Sequence, residues 1–387
     1  MLSLRPNEIN NNDVTQSWLT VPSQSIPTWN SIINFDVTTI GKINEIYVVF
    51  NMGPVTGITA SGLFPCMVSS FKWFTNVNYS FQGTILDSAN SDMNFINCQN
   101  NYDDQDRVFI NTASGSYSSA AQRFAMGQTS STYLIPLKCF ANQIQNEILN
   151  ANHNFRVSLT LDQIANVIDV NGLTGTPNIN FNSISLLVKM QKLTQPTINY
   201  KLAQIGKIQR YQSLFTSNLS QQFVALSGST TSSINLSNFI NANIQWIYFT
   251  IRPVSTGLTK SAGFNYINNL LSFHLLNSSS ESLCGGSPIT AATSLYILNK
   301  DSTRGSHSTE TGGSVFYWFH SSNPVVSYQS GVPTGSRLYN GSEQIVLIYN
   351  SALTTNMQID VYAAATSVFN QTLQSNAHKL ISKYIYI

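Results

Sequence analysis

The chain has 387 residues, 42% hydrophobic and 11% aromatic, but only 9% are charged: 19 basic and 17 acidic side chains with a formal net charge of +2. Globular proteins usually carry roughly 25% charged residues, so Asn, Ser, Thr and Gln stand here where ions normally would. The balance argues against a charged nucleic-acid groove or an anionic-membrane surface, and the aromatic and β-branched content argues against disorder.

The first residues, Met1–Asn12, include Arg5 and Glu8 and no apolar stretch, so they read as part of a polar N-terminal arm over 1–25 and not as a leader. No apolar run reaches the length of a membrane-spanning helix, and a soluble protein made in a reducing compartment is expected. Strand signals, short runs of β-branched and aromatic residues between Gly, Asn, Ser and Pro, then recur along the chain. They fall at Ile46–Phe50, Phe71–Phe81, Phe155–Leu161, Ile184–Met190, Gln245–Ile251, Val315–Phe319, Ile345–Tyr349 and Met357–Tyr362. Phe155–Leu161 alternates strictly, as a strand with one buried face should. The expected helices are short: Phe140–Asn150, Asp162–Val167 and Ser375–Ser382. Asp103-Asp104-Gln105-Asp106 reads as a solvated turn before an Arg107–Ile110 strand, with a calcium loop as the alternative. The class predicted is all-β.

An internal repeat organises these strands. Ile33-Asn34-Phe35 matches Ile234-Asn235-Leu236, Ile43 matches Ile244, and Ile46-Tyr47 matches Ile247-Tyr248, all 201 residues apart. A Pro/Thr-Gly turn follows in both places, Pro54–Thr59 and Pro253–Thr259, and Phe155–Leu161 pairs more loosely with Ile345–Tyr349. Two domains of about 180 residues follow: an arm over 1–25, a first sandwich over 26–195, a linker over 196–210 and a second sandwich with a C-terminal tail over 211–387. Some eight strands per half suit an antiparallel two-sheet sandwich.

Motifs for chemistry are absent. There is no nucleophile elbow, phosphate loop, dinucleotide fingerprint or paired metal-binding histidine motif. His153, His274, His307, His320 and His378 are scattered, and His274 reads as a hydrogen-bonded strand residue. Cys66, Cys98, Cys139 and Cys284 lack metal-ligand spacing and read as free, mostly buried thiols. Phe71-Lys72-Trp73-Phe74 and Phe316-Tyr317-Trp318-Phe319 read as core and intersheet packing in preference to sugar platforms. No catalytic, cofactor-binding or metal-binding residue is therefore assigned. The densest basic group, Lys201, Lys207 and Arg210, is modest.

The charge deficit is also a statement about surfaces. A folded monomer of this size exposes on the order of 15,000 Å², or about one charge per 420 Å². A contact patch of about 800 Å² then holds about two charges where five would be usual. Interface cores are depleted in charge because ions are costly to desolvate while amides and hydroxyls pair across the contact.

Tyr133-Leu134-Ile135-Pro136-Leu137-Lys138, then the stretch to Asn150 and the strand Phe155–Leu161, adds a more specific likeness. With two eight-stranded β domains in one low-charge chain, it resembles the double jelly-roll major capsid proteins of tailless icosahedral viruses, many of which enclose a membrane. The corresponding place in the second half, Val315–Phe319 followed by Asn323-Pro324-Val325, lacks a clear helix. The resemblance implies a coat protein, not an enzyme, without cofactor. It implies a homotrimer forming a pseudo-hexagonal capsomer, made in the host cytoplasm and located in the virion. Its implied partners are neighbouring capsomers, minor capsid or penton proteins and an internal membrane, with no sequence-specific nucleic acid. The arm and the tail from Gln371 to Ile387 are the expected inter-subunit ties, Ile381–Ile387 pairing either with a neighbour or with its own domain. The alternative is a glycan- or receptor-binding β-sandwich spike. A third class, a glycoside hydrolase, needs two facing carboxylates, with Asp103 and Asp162 as candidates.

Overall fold

The computed structural model of the chain describes residues 14–39, 41–58, 66–67, 69–81, 83–101, 104–116, 122, 125, 127–138, 155–169, 175–196, 210–254, 269–294, 315–323, 333–372 and 381–385. In the first half the strands are β1 (Val14–Pro22), β2 (Ile32–Val37), β3 (Gly41–Met52), β4 (Thr56–Ile58), β5 (Cys66–Met67), β6 (Phe74–Phe81), β7 (Thr84–Asn90), β8 (Ser131–Leu137), β9 (Phe155–Leu161), β10 (Ile168–Asp169), β11 (Gly175–Asn178) and β12 (Phe181–Leu193). The second half contributes β13 (Arg210–Ala225), β14 (Thr231–Asn235), β15 (Asn243–Pro253), β16 (Leu270–Leu276), β17 (Ile289–Thr290), β18 (Val315–Phe319), β19 (Arg337–Leu338), β20 (Gln344–Tyr349), β21 (Met357–Thr372) and β22 (Ile381–Ile385). Helices α1 (Ser91–Asn101), α2 (Asp104–Ala113) and α3 (Ile164–Val167) lie in the first half.

Each half is a sandwich of two antiparallel four-stranded layers with the same connections. The first is β1-β12-β3-β8 on β2-β9-β6-β7; the second is β13-β21-β15-β18 on β14-β20-β16-β17, with β19 and β22 added to the former sheet. In both, the outermost strands in chain order lie side by side and the chain wraps back and forth between the layers, which is the jelly-roll topology. The chain is two jelly rolls in tandem. The repeat extends to an irregularity: β12 skips Asn44 of β3 and β21 skips Gln245 of β15, so the same β-bulge recurs 201 residues on.

Alternation builds the cores. Ile43, Ile46, Val48 and Phe50 point inward from β3, and Ile244, Ile247, Phe249 and Ile251 do so from β15. Trp73 anchors the first core, edge-on to Phe50 at 5.4 Å and to Tyr133 at 4.8 Å. In the second, Phe249 stands edge-on to Phe273 and stacks on Phe316. Gly57 in the Thr-Gly turn has φ +79°, and a Cβ there would lie 2.2 Å from the Thr176 carbonyl oxygen, so only glycine lets β4 meet β11.

Several expectations change. Arg107–Ile110 is not a strand but part of α2. Much of the expected arm, Val14–Pro22, is β1, paired with β12 along its whole length. The segment expected as a last helix ends in β22, which pairs with β21 of its own chain, while 373–380 lie outside the described residues. The Asp162–Val167 helix appears as the single turn α3. Phe140–Asn150, Cys139, Lys201, Lys207, His153, His307, His378 and most of the 196–210 linker also lie outside the described residues.

His320, just beyond β18, is half-buried beside the Tyr339 hydroxyl at 2.9 Å, and desolvation together with Arg337 lowers its pKa to about 4. Its neutral form is the folded form, so the stabilisation is complete above the unfolded pKa near 6.5 and is lost as pH falls toward 4. Over that window the chain should lose up to about 3 kcal/mol. Urea melts from pH 7 to pH 4 should show this slope, and His320→Gln should flatten it.

Candidate assembly interface

Strand β15 is buried on both faces over most of its length. Its inward residues fill the second core, while Trp246, Tyr248 and Thr250 point out of the sandwich and are nonetheless buried. Tyr317 of β18 and Tyr362 of β21 flank Tyr248 in register, and Ala364 of β21 lies opposite Trp246. Trp246, Tyr248, Tyr317, Tyr362 and Ala364 belong to the apolar cluster of the first half. Each large aromatic buried in this way contributes roughly 1.5–3 kcal/mol.

The cover is α1. Asn90 caps it, its Oδ1 accepting the Met93 amide at 2.8 Å. Every side chain from Ser91 to Cys98 is buried. One side of the helix is tied to its own half: Asn94 donates to the Pro136 carbonyl at 3.0 Å and accepts the Lys138 amide at 3.2 Å. The other side meets the second sandwich. Tyr248 donates its hydroxyl to Asn97 Oδ1 at 3.1 Å, Asn97 donates to Asn218 Oδ1 at 3.3 Å, and Asp87 in the middle of β7 accepts both the backbone and the side-chain amide of Asn218.

Charge is concentrated at one end of this seam. Asp92 of α1 lies 2.6 Å from Lys72 Nζ and 3.2 Å from Arg252 of β15, and Arg252 reaches Asp360 of β21 at 2.8 Å. Gln358 donates twice to Asp360. Burial drives Lys72 below its ordinary pKa, opposed by Asp92, and drives Asp360 above its own, opposed by Arg252. Tyr248 and Tyr362 are raised well above the phenol range, chiefly by burial. The tyrosines stay neutral, and two cations face two carboxylates.

The matching face of the first sandwich has no such cover among the described residues. Registers equate Tyr47 with Tyr248, Val49 with Thr250, Leu134 with Val315 and Leu187 with Tyr362. Tyr47, Val49, Leu134 and Leu187 are half-buried and Trp18 is 52% exposed. Lys189 lies 2.6 Å from Glu45 and 5.6 Å from the centre of the Trp18 ring, and Tyr47 donates to Glu45. Burial raises the Glu45 pKa, but the bonds from Lys189 and Tyr47 outweigh it and leave it below the usual range.

The sequence candidates for chemistry do not converge. Asp162 accepts the Gln163 amide and the Asn166 side chain just before α3. Asp103 and the side chains of Asp104 and Asp106 lie outside the described residues. His274 is a residue of strand β16, and its Nε2 is buried with no hydrogen-bond partner among the described residues. Cys98 and Cys284 are free thiols whose pKa burial raises to about 12 and about 11. Phe71, Trp73, Phe74 and Phe316 are core, and Tyr317 is seam. Among the described residues no three His, Cys, Asp or Glu side chains gather as a metal site, and no helix is long and apolar enough to cross a membrane. The seam itself was hidden: Lys72 sits inside an aromatic run that reads as core.

No family model and no curated protein matches the sequence. Solved structures do match along nearly the whole chain. PBCV-1 VP54, whose crystal structure was fitted into a cryo-EM reconstruction of the virophage Sputnik, aligns with TM-score 0.68 and 12% identity over 97% of this chain and 98% of that one. The Faustovirus major capsid protein gives 0.68 and 10% over 97% and 93%, and the mavirus major capsid protein 0.58 and 10% over 100% and 95%. The chain has the double jelly-roll fold of these viral proteins.

Asp92→Ala removes the carboxylate between Lys72 and Arg252 and should lower unfolding free energy by about 2 kcal/mol, because half-buried Lys72 loses this counter-ion while Arg252 keeps Asp360. Asp36→Ala breaks the Arg156 pair on the outer face of β2 and β9, where Arg156 is 43% exposed, and should cost no more than about 1 kcal/mol. Urea titration of the two variants measures the contrast.

Proposed function

We propose that this chain is a viral coat subunit: three copies join into a capsomer of six upright jelly rolls, and capsomers tile a closed icosahedral shell. The observation that carries the reading is the unequal covering of two equivalent sheet faces. In the second sandwich the β13-β21-β15-β18 face is sealed by the first half of the chain. In the first, the β1-β12-β3-β8 face leaves Val49, Leu134 and Leu187 half-buried and Trp18 52% exposed. A second sandwich from a sister copy would cover it as the first half covers its own partner. Such a head-to-tail contact closes into a ring when the rotation permits. The fold shared with viral major capsid proteins supports the same reading.

The mechanism is contact without bond chemistry. Uncharged β surfaces exchange water for one another, with amides and hydroxyls pairing across the join and few ions to desolvate. On this reading the protein resides in the virion after synthesis in the host cytoplasm and acts as no enzyme. Its partners are its own copies, minor capsid or penton proteins at special positions and an internal membrane where one is present.

The purified chain should run as a species of about 128 kDa, three times 42.7 kDa, with a hexagonal outline in negative stain. Val49→Lys with Leu134→Lys places two like charges on the uncovered face. Both side chains are half-buried in the single chain, so this variant should lose about 1–2 kcal/mol of stability while staying folded, and should run as a monomer. A monomeric parent chain, or a variant that still trimerises, would contradict the reading.

A further inference from the structure

Duplication creates a problem of recognition. The cap formed by α1 fits the outer face of a jelly-roll sheet, and each chain has two such faces with the same strand order, the same bulge and a tyrosine at the same place. While copies fold side by side, the α1 cap of one chain meets its own β15 face and the β3 face of a sister. Docking on the sister would leave a sealed face bare and send the chain into open-ended aggregates.

The two faces differ in where their charges sit. At the end that receives Asp92, the second-half face presents Arg252 and Asp360. The repeat counterparts on the first-half face are Asn51 and Ser185. There Asn51 donates to Ser183 at 2.7 Å and accepts from Thr132 at 2.6 Å, a closed neutral set that offers Asp92 no cation. At the opposite end the pattern reverses. The first-half face carries the Glu45–Lys189 pair where the second-half face carries Trp246 and Ala364. A cap docked on the wrong face would lose Arg252 and bury Glu45 and Lys189 where an aromatic ring and a methyl group belong.

We propose that Lys72, Asp92, Arg252 and Asp360 form a pairing key, which makes the first-half cap select a second-half sheet and refuse the first-half sheet of a sister copy. The key rests on the coat-subunit reading and names what keeps that assembly to alternating first and second jelly rolls. Its role is discrimination. A buried ionic cluster adds little net stability over an apolar one, but it penalises every arrangement that leaves one of its members unmatched.

The test transfers the key. Asn51→Arg with Ser185→Asp places the same two charges on the uncovered face at accessible positions, so the fold should persist. Refolded from urea at high concentration and weighed by native mass spectrometry, the parent chain should return as one three-chain species. The grafted variant should lose at least about half of that species to mixed larger assemblies. Arg252→Gln with Asp360→Asn, which erases the key while keeping hydrogen bonds, should spread the masses similarly; if it fails to fold, the graft alone decides. A grafted variant as uniform as the parent overturns the key and leaves the coat reading standing. A parent chain that stays monomeric overturns both.

Discussion

A β-sheet with large apolar side chains on both faces has to be covered on both, and β15 is such a sheet's central strand. Its inward residues close the second jelly roll, and its outward residues, Trp246 and Tyr248 with Tyr317 and Tyr362 beside them, would otherwise face water. The first half supplies the cover through α1 and β7. The halves therefore do not stand as independent beads: the apolar cluster of the first runs without interruption onto the outer face of the second. The same geometry makes the first sandwich the less finished partner, since its equivalent face carries a tyrosine and aliphatic residues that stop half-way into burial.

What little charge the chain has is placed where it decides something. Asp36 and Arg156 pair on an outer face, the bond from Arg156 and its charge lowering the Asp36 pKa against the effect of burial. Lys72, Asp92, Arg252 and Asp360 are gathered at the seam, where neutral neighbours and low dielectric strengthen each attraction and also penalise any missing partner. The rest of the contact surfaces rely on amides and hydroxyls, which can pair with a neighbour's without the cost of desolvating an ion. Composition and architecture thus give the same answer by different routes.

The jelly-roll strands were legible because their inward residues obey a two-residue period and because the repeat is ungapped across β2 and β3, so that Ile43, Ile46 and Tyr47 announce Ile244, Ile247 and Tyr248. Even the bulge at Asn44 and Gln245 sits inside that matched stretch, although a bulge leaves no mark of its own in a sequence. Helices α1 and α2 were not legible. Residues Ser91–Cys98 are buried all round between two sandwiches, so they show no polar face to set a helical period, and Val108 and Phe109 are exposed on α2 and mimic a strand's apolar run. The ionic cluster was hidden for a similar reason. Lys72 lies in an aromatic run, Arg252 and Asp360 lie 108 residues apart on neighbouring strands, and only the folded register brings them to Asp92.

The claim underlying all of this is that one chain's internal join is repeated between chains. Electron cryomicroscopy of the assembled particle, at a resolution that shows aromatic side chains, tests it at a single residue. Tyr47 should lie buried beneath the second jelly roll of a sister molecule, in the setting that Tyr248 occupies beneath α1. A particle in which Tyr47 faces open solvent, or is covered by another first jelly roll, would contradict it.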